Sequence, residues 1–158
     1  MNWRVVDGCP ARPSIAPYIY IVLRDAGQTA SSINRSEAAK AILHAHGKHT
    51  QREIHQMMPA VSNPEGRSEH ELRSDGVGKP GPIGRLLEEW QQGVDSGGND
   101  PASKQRIEAA ARRHGWRVVH HYPAGVEGHH WCFAEKPRPH SLKMRLRIIH
   151  LRATLPRR

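Results

Sequence analysis

Aromatic side chains are scarce in this chain: one Phe, three Tyr and four Trp, 5% of 158 residues. Because aromatic residues bury the largest area apiece, their scarcity limits the core to a modest size. Cysteine is scarcer, with Cys9 and Cys132 alone. Two cysteines cannot make a disulfide framework, and synthesis in a reducing cytosol is expected. Long apolar runs are also missing. The longest near the amino end, Ile19 to Leu23, falls far short of the roughly 20 residues that cross a bilayer, and no export signal is recognisable before it. The absence of an internal repeat or low-complexity tract excludes solenoids, collagen-like chains and coiled-coil rods.

What the chain has in excess is positive charge and histidine. There are 24 Lys and Arg against 15 Asp and Glu, a formal charge of +9, and 12 His. A basic excess suggests nucleic acid, an acidic polymer or a membrane surface. Histidine is the commonest metal ligand and a near-neutral acid and base, so its abundance raises the prospect of a metal or hydrolytic site.

Three regions are expected. Residues 1–17 mix Arg, Gly and the prolines Pro10, Pro13 and Pro17, as an irregular arm would. Residues 18–135 form the domain, and residues 136–158 a basic tail. Within the domain, Tyr18 to Leu23 suits either a short strand or a helix start. A helix is expected from Ser36 to His46, and another from Thr50 to just before Pro59. The Gly-, Pro- and Ser-rich stretch 62–84 is expected to be loop. Gly93-Val94-Asp95 reads as a short strand that delivers an aspartate to its end. Asp100-Pro101 opens a helix, with Asp100 as cap, Ile107, Ala110 and Ala111 on its apolar face, and Gly115 as its stop. Trp116 to Tyr122 and His129 to Ala134 read as the two strands of a hairpin. In the tail, apolar residues alternate with basic ones as in a strand, while Leu142, Leu146 and Ile149 also fit one helical face.

Three segments carry residues suited to a catalytic zinc: Gly66-Arg67-Ser68-Glu69-His70, Gly93-Val94-Asp95 and Glu127-Gly128-His129-His130. Such a site takes three protein ligands from His, Asp or Glu and leaves a position for water, whose proton a nearby glutamate can accept. Ser-x-His, then a small-aliphatic-Asp step, then Glu-x-x-His resembles the zinc D-Ala-D-Ala carboxypeptidases and the L-alanyl-D-glutamate endopeptidases of bacteriophage endolysins. Lys48-His49-Thr50-Gln51 and Asn63-Pro64-Glu65-Gly66-Arg67-Ser68 are similar to that family's Gln-bearing helix and its Pro-Gly-x-Ser lead-in. The resemblance covers roughly residues 33–133. It implies His70, Asp95 and His130 as Zn2+ ligands, Glu127 as general base, and Arg35, in Asn34-Arg35-Ser36, as the residue that holds the peptide carbonyl or carboxylate. Asn34 stands where the family has an aromatic residue.

One spacing departs from the family, which usually places its aspartate seven positions after the first histidine. Position 77 here is Val77, and Asp95 lies 25 positions after His70, so an insertion of 18 residues is required. Asp75 is the rival ligand. Asp95 is preferred because Ser74-Asp75-Gly76 has the composition of a turn, where aspartate serves local hydrogen bonds. On a strand, His129 and His130 face opposite ways, and His130 shares its face with Cys132. Cys132 then either lines the metal pocket or serves as a small buried hydrophobe.

The fold implied by the resemblance is α+β: a small antiparallel sheet with helices on one side, hedgehog-like, with zinc on the open face. The implied activity is hydrolysis of peptide bonds in bacterial peptidoglycan stem peptides. The implied place of action is the bacterial cell wall, reached by a phage lysis or virion protein or by one domain of a larger polypeptide. The alternatives are a basic metal-dependent nuclease or nucleic-acid-binding protein, and a non-catalytic wall-binding module. Charge placement disfavours nucleic acid. The tail holds eight of the 24 basic residues and no acid, which leaves 16 basic against 15 acidic residues in 1–135. The cationic segment instead suits an anionic envelope polymer or a neighbouring domain, through an attraction that salt weakens.

Overall fold

A computed structural model describes residues 3–33, 90, 92–98, 100–120 and 129–158. The expected helices at 36–46 and 50–58 and the loop at 62–84 lie outside them. The described chain is α+β. It runs β1 (Arg4–Val6), β2 (Cys9–Ala11), α1 (Ala16–Ala26), β3 (Ala30–Ser32), β4 (Val94–Ser96), α2 (Pro101–Arg113), β5 (Val118–Val119), β6 (His130–Phe133) and α3 (Leu142–Thr154).

The opening segment, read above as irregular, is a hairpin. Asp7 and Gly8 both take positive φ, 51° and 81°, which a two-residue Asp-Gly turn requires between right-twisted strands. Val6 then pairs with Cys9 and Arg4 with Ala11. Pro10 is tolerated because β1 is the only strand that β2 pairs with among the described residues, so its missing N–H disrupts no second ladder. Val6 and Ala11 are buried, and the hairpin is tied to the far end of the chain: the Val5 N–H donates to the Pro156 carbonyl, and the Arg4 guanidinium to that of Leu155.

The run Tyr18 to Leu23 lies inside α1. Its sequence does not distinguish helix from strand because the helix is apolar almost all round, as a helix enclosed by its neighbours must be. Ile19, Ile21, Val22 and Leu23 are all 0% exposed. Pro17 sits in the first turn, and Gly27, at φ 65°, closes the helix with N–H bonds back to Arg24 and Leu23.

Helix α2 follows its sequence pattern. The Asp100 carboxylate accepts from the Ser103 N–H and hydroxyl at 2.9 and 2.7 Å, and Ile107, Ala110 and Ala111 are buried. These bonds from Ser103 hold the Asp100 carboxyl below the usual aspartate range. Residues 142–154 of the tail are helical. Ser141 caps α3 by accepting from the Met144 N–H, and Ile148, Leu151 and Leu155 turn inward.

β3, β4, β6 and β5 form an antiparallel sheet in that order. Val94, Trp131 and Phe133 belong to the same core as the inward residues of all three helices. Aromatic edges knit this core: Trp131 meets Phe133 at 5.7 Å, Phe133 meets Trp116 at 6.2 Å, and Trp116 meets Tyr18 at 5.1 Å between ring centroids. β5 is shorter than the expected strand from Trp116, covering Val118–Val119.

Two outcomes test these elements. Ile107, at 1% exposure, should lose about 1 kcal/mol of unfolding free energy on replacement by Val and about 3 kcal/mol on replacement by Ala, as read from urea denaturation. Folding lowers the pKa of Asp100, so the stability it contributes is present above the unfolded-state pKa and is lost as pH falls through the folded-state value. The stability deficit of Asp100→Ala should therefore shrink on acidification through that window, as thermal unfolding at a series of pH values would show.

Candidate functional site

β4 and β6 pair so that Val94 lies opposite Trp131, and Asp95 opposite His130. Alternation along a strand then sorts the side chains by face. Val94, Trp131 and Phe133 enter the core, while Asp95, His130 and Cys132 project from the opposite face. His130 Nδ1 and Asp95 Oδ1 are 2.9 Å apart across the strands, although the two residues are separated by 35 positions in sequence. Asp95 is 6% exposed and His130 7%. An ionisable pair this deeply buried is held by mutual attraction and hydrogen bonding against a desolvation cost.

A buried polar chain beneath the pair fixes the register. The Trp131 Nε1–H donates to the Ser96 hydroxyl at 2.8 Å, and that hydroxyl donates to Gln28 Oε1 at 3.2 Å. The Gln28 amide nitrogen then donates to the Ser103 carbonyl at 3.0 Å. A one-residue slip of β6 would break the first of these bonds and bring His130 to the core face. Two further contacts hold β4 from either side: the Ser31 hydroxyl donates to the Asp95 carbonyl, and the Ser96 N–H to the His129 carbonyl. Gly97 follows at φ 65°, and a Cβ there would stand 2.5 Å from Gln28 Oε1.

No protein-family model, curated protein or solved structure matches this chain.

Of the residues singled out in sequence, the sheet brings Asp95 and His130 together. His70, Glu127, Arg35 and the rival ligand Asp75 lie outside the described residues. Cys132 lies two residues beyond His130 on the same strand face and is 2% exposed. His129 precedes β6 and is partly exposed. Among the described residues no group of three or more His, Cys, Asp or Glu is arranged to hold a metal ion.

The pair itself has the right donor chemistry for zinc, one carboxylate oxygen and one imidazole nitrogen. Two ligands at ordinary zinc distances and a tetrahedral angle stand about 3.3 Å apart. The observed 2.9 Å is a hydrogen-bond separation, so the proton between the two atoms would have to leave before both could bind one ion. The same bond also suits a carboxylate that orients a histidine whose other ring nitrogen binds the metal.

Sequence reading missed Gln28 and Ser96. Both fall next to glycines, as Gln28 beside Gly27 and Ser96 beside Gly97, and both look like turn residues. Cys9 carries a different signal. Its thiol pKa is pushed up by burial first, then by the negative charge of Asp7, with a smaller contribution from Asp95. A raised thiol pKa lowers the fraction present as thiolate, the nucleophilic form.

Gly97→Ala tests the polar support. The left-handed backbone alone should cost about 1–2 kcal/mol. The clash with Gln28 should add to that cost, and the added part should disappear in a Gln28→Ala background, as a double-mutant cycle by urea denaturation would reveal.

Proposed function

We propose that this chain is a zinc-dependent peptidase that hydrolyses peptide bonds in bacterial peptidoglycan stem peptides, of the D-Ala-D-Ala carboxypeptidase or endolysin endopeptidase kind, with a hedgehog-like arrangement of its sheet and helices. The observation that carries this reading is the juxtaposition of Asp95 and His130 on neighbouring strands, buried and 2.9 Å apart. Those two residues were singled out from separate sequence motifs, and a pairing of inner-strand residues 35 positions apart is not an automatic outcome of their sequence spacing. His70 would complete the ligand set.

When bound, zinc would supply Lewis acidity toward the scissile carbonyl and toward water. The protein's part is positioning and proton transfer. Asp95 and His130 hold their donor atoms on a rigid sheet, where ligand placement is more precise than on loops. Glu127, three residues before His130, would accept a proton from water and pass it to the leaving amine. Arg35 would hold the substrate's carbonyl or carboxylate through its fixed fork of N–H donors. A D-amino acid at the scissile bond is the expected specificity, because peptidoglycan stem peptides present one there.

Two experiments test this reading. Protein prepared with zinc should contain about one ion per chain by elemental analysis. His70→Ala, His130→Ala and Asp95→Ala should each lose the ion while Asp75→Ala keeps it; metal-free parent protein would overturn the reading. Glu127→Ala should retain zinc yet release stem-peptide fragments from purified peptidoglycan about 100-fold to 10,000-fold more slowly, as measured by mass spectrometry of the products. Undiminished release would remove Glu127 from the mechanism.

A further inference from the structure

α3 has two apolar faces. One, made by Ile148, Leu151 and Leu155 with Met144 at its margin, packs into the core. The other is the stripe Leu142, Leu146 and Ile149, at positions i, i+4 and i+7, with exposures of 73%, 58% and 60%. These are the large hydrophobic residues that stand exposed among the described residues. A soluble helix that packs on one side ordinarily keeps its other side polar.

The residues beside the stripe indicate what covers it. At 3.6 residues per turn, Lys143, Arg147 and His150 flank it on one side and Arg145 and Arg152 on the other. All five are exposed, and residues 136–158 contain no acid. A second copy of the same face would bring two such cationic borders together, and no acidic side chain of the segment would relieve the repulsion. A polyanion alone would satisfy the borders and leave the stripe in water. An anionic lipid surface satisfies both, since acyl chains receive the stripe and headgroup phosphates the borders.

We infer that α3 is an interfacial helix through which this protein docks on anionic phospholipid membranes. It lies along the surface rather than crossing it. Its 13 residues span about 20 Å, whereas the hydrocarbon core of a bilayer is about 30 Å thick. No helix among the described residues is long and apolar enough to cross a membrane. The core-facing side of α3 stays in place on docking, so no refolding of the domain is required. The inference is independent of the metal site, and its readout is binding rather than catalysis.

The test is cosedimentation of the full chain with vesicles of phosphatidylcholine alone and of phosphatidylcholine mixed with phosphatidylglycerol. Binding to the mixed vesicles should exceed binding to the neutral ones at least tenfold and should fall as salt is raised. Leu146→Ser with Ile149→Ser removes mostly solvent-facing atoms, so the fold should survive, as circular dichroism would check, while membrane binding falls at least tenfold. Arg145→Glu with Arg147→Glu should do the same. Any of three results would overturn the inference. One is absence of binding to the mixed vesicles. Another is binding that the Ser variant retains while the Glu variant loses it, which marks a polyanion site. The third is a dimer in analytical ultracentrifugation that the Ser variant dissociates, which marks the stripe as a contact between copies.

Discussion

The placement of Trp131 governs the rest of this structure. Its ring is wholly buried, its edge meets Phe133, and its single N–H has one buried acceptor, the Ser96 hydroxyl. A large side chain with one polar atom to satisfy has few ways to sit in a core. Once it is seated, the register of β6 on β4 is set, and with it the faces on which His130 and Asp95 emerge. The site is thus positioned by a residue that does not belong to it.

The same interaction shows how a chain poor in aromatics uses them. Trp131, Phe133, Trp116 and Tyr18 form one edge-to-face series that runs from the sheet to α1. Four of the eight aromatic residues are spent on a single contiguous contact, and the aliphatic residues of α1 fill the space around it. Concentrated in this way, the aromatic rings pack against the core face of the sheet whose other face carries Asp95 and His130.

Elements with a strong local cause were legible in sequence. Asp100-Pro101 announces a helix by capping chemistry alone, and His129 to Ala134 announces a strand by its composition. The pairing of Asp95 with His130 was legible as a set of residue types, though not as a register, because register depends on Gln28 and Ser96, whose role is visible only across 68 positions of sequence. α1 was ambiguous because enclosure erases the polar face on which a helix is recognised. The opening hairpin was obscured by Pro10 within it and by Pro13 and Pro17 after it, although Asp7-Gly8 is the pair of residues that its tight turn demands. In the tail, alternation and helical spacing coexist. The ambiguity has a physical source: apolar residues on two opposite faces of a helix leave no single period in the sequence.

The sheet order β3-β4-β6-β5 has one more consequence. Asp95 and His130 sit on the two inner strands, with hydrogen-bonding partners on both sides of each. The outer strands of this sheet among the described residues are β3 and β5, which are 3 and 2 residues long. Strands this short offer few backbone groups to an intruding strand. Among the described residues the Asp95–His130 pair therefore stands one strand in from either margin of its sheet, so fraying of β3 or β5 stops short of it.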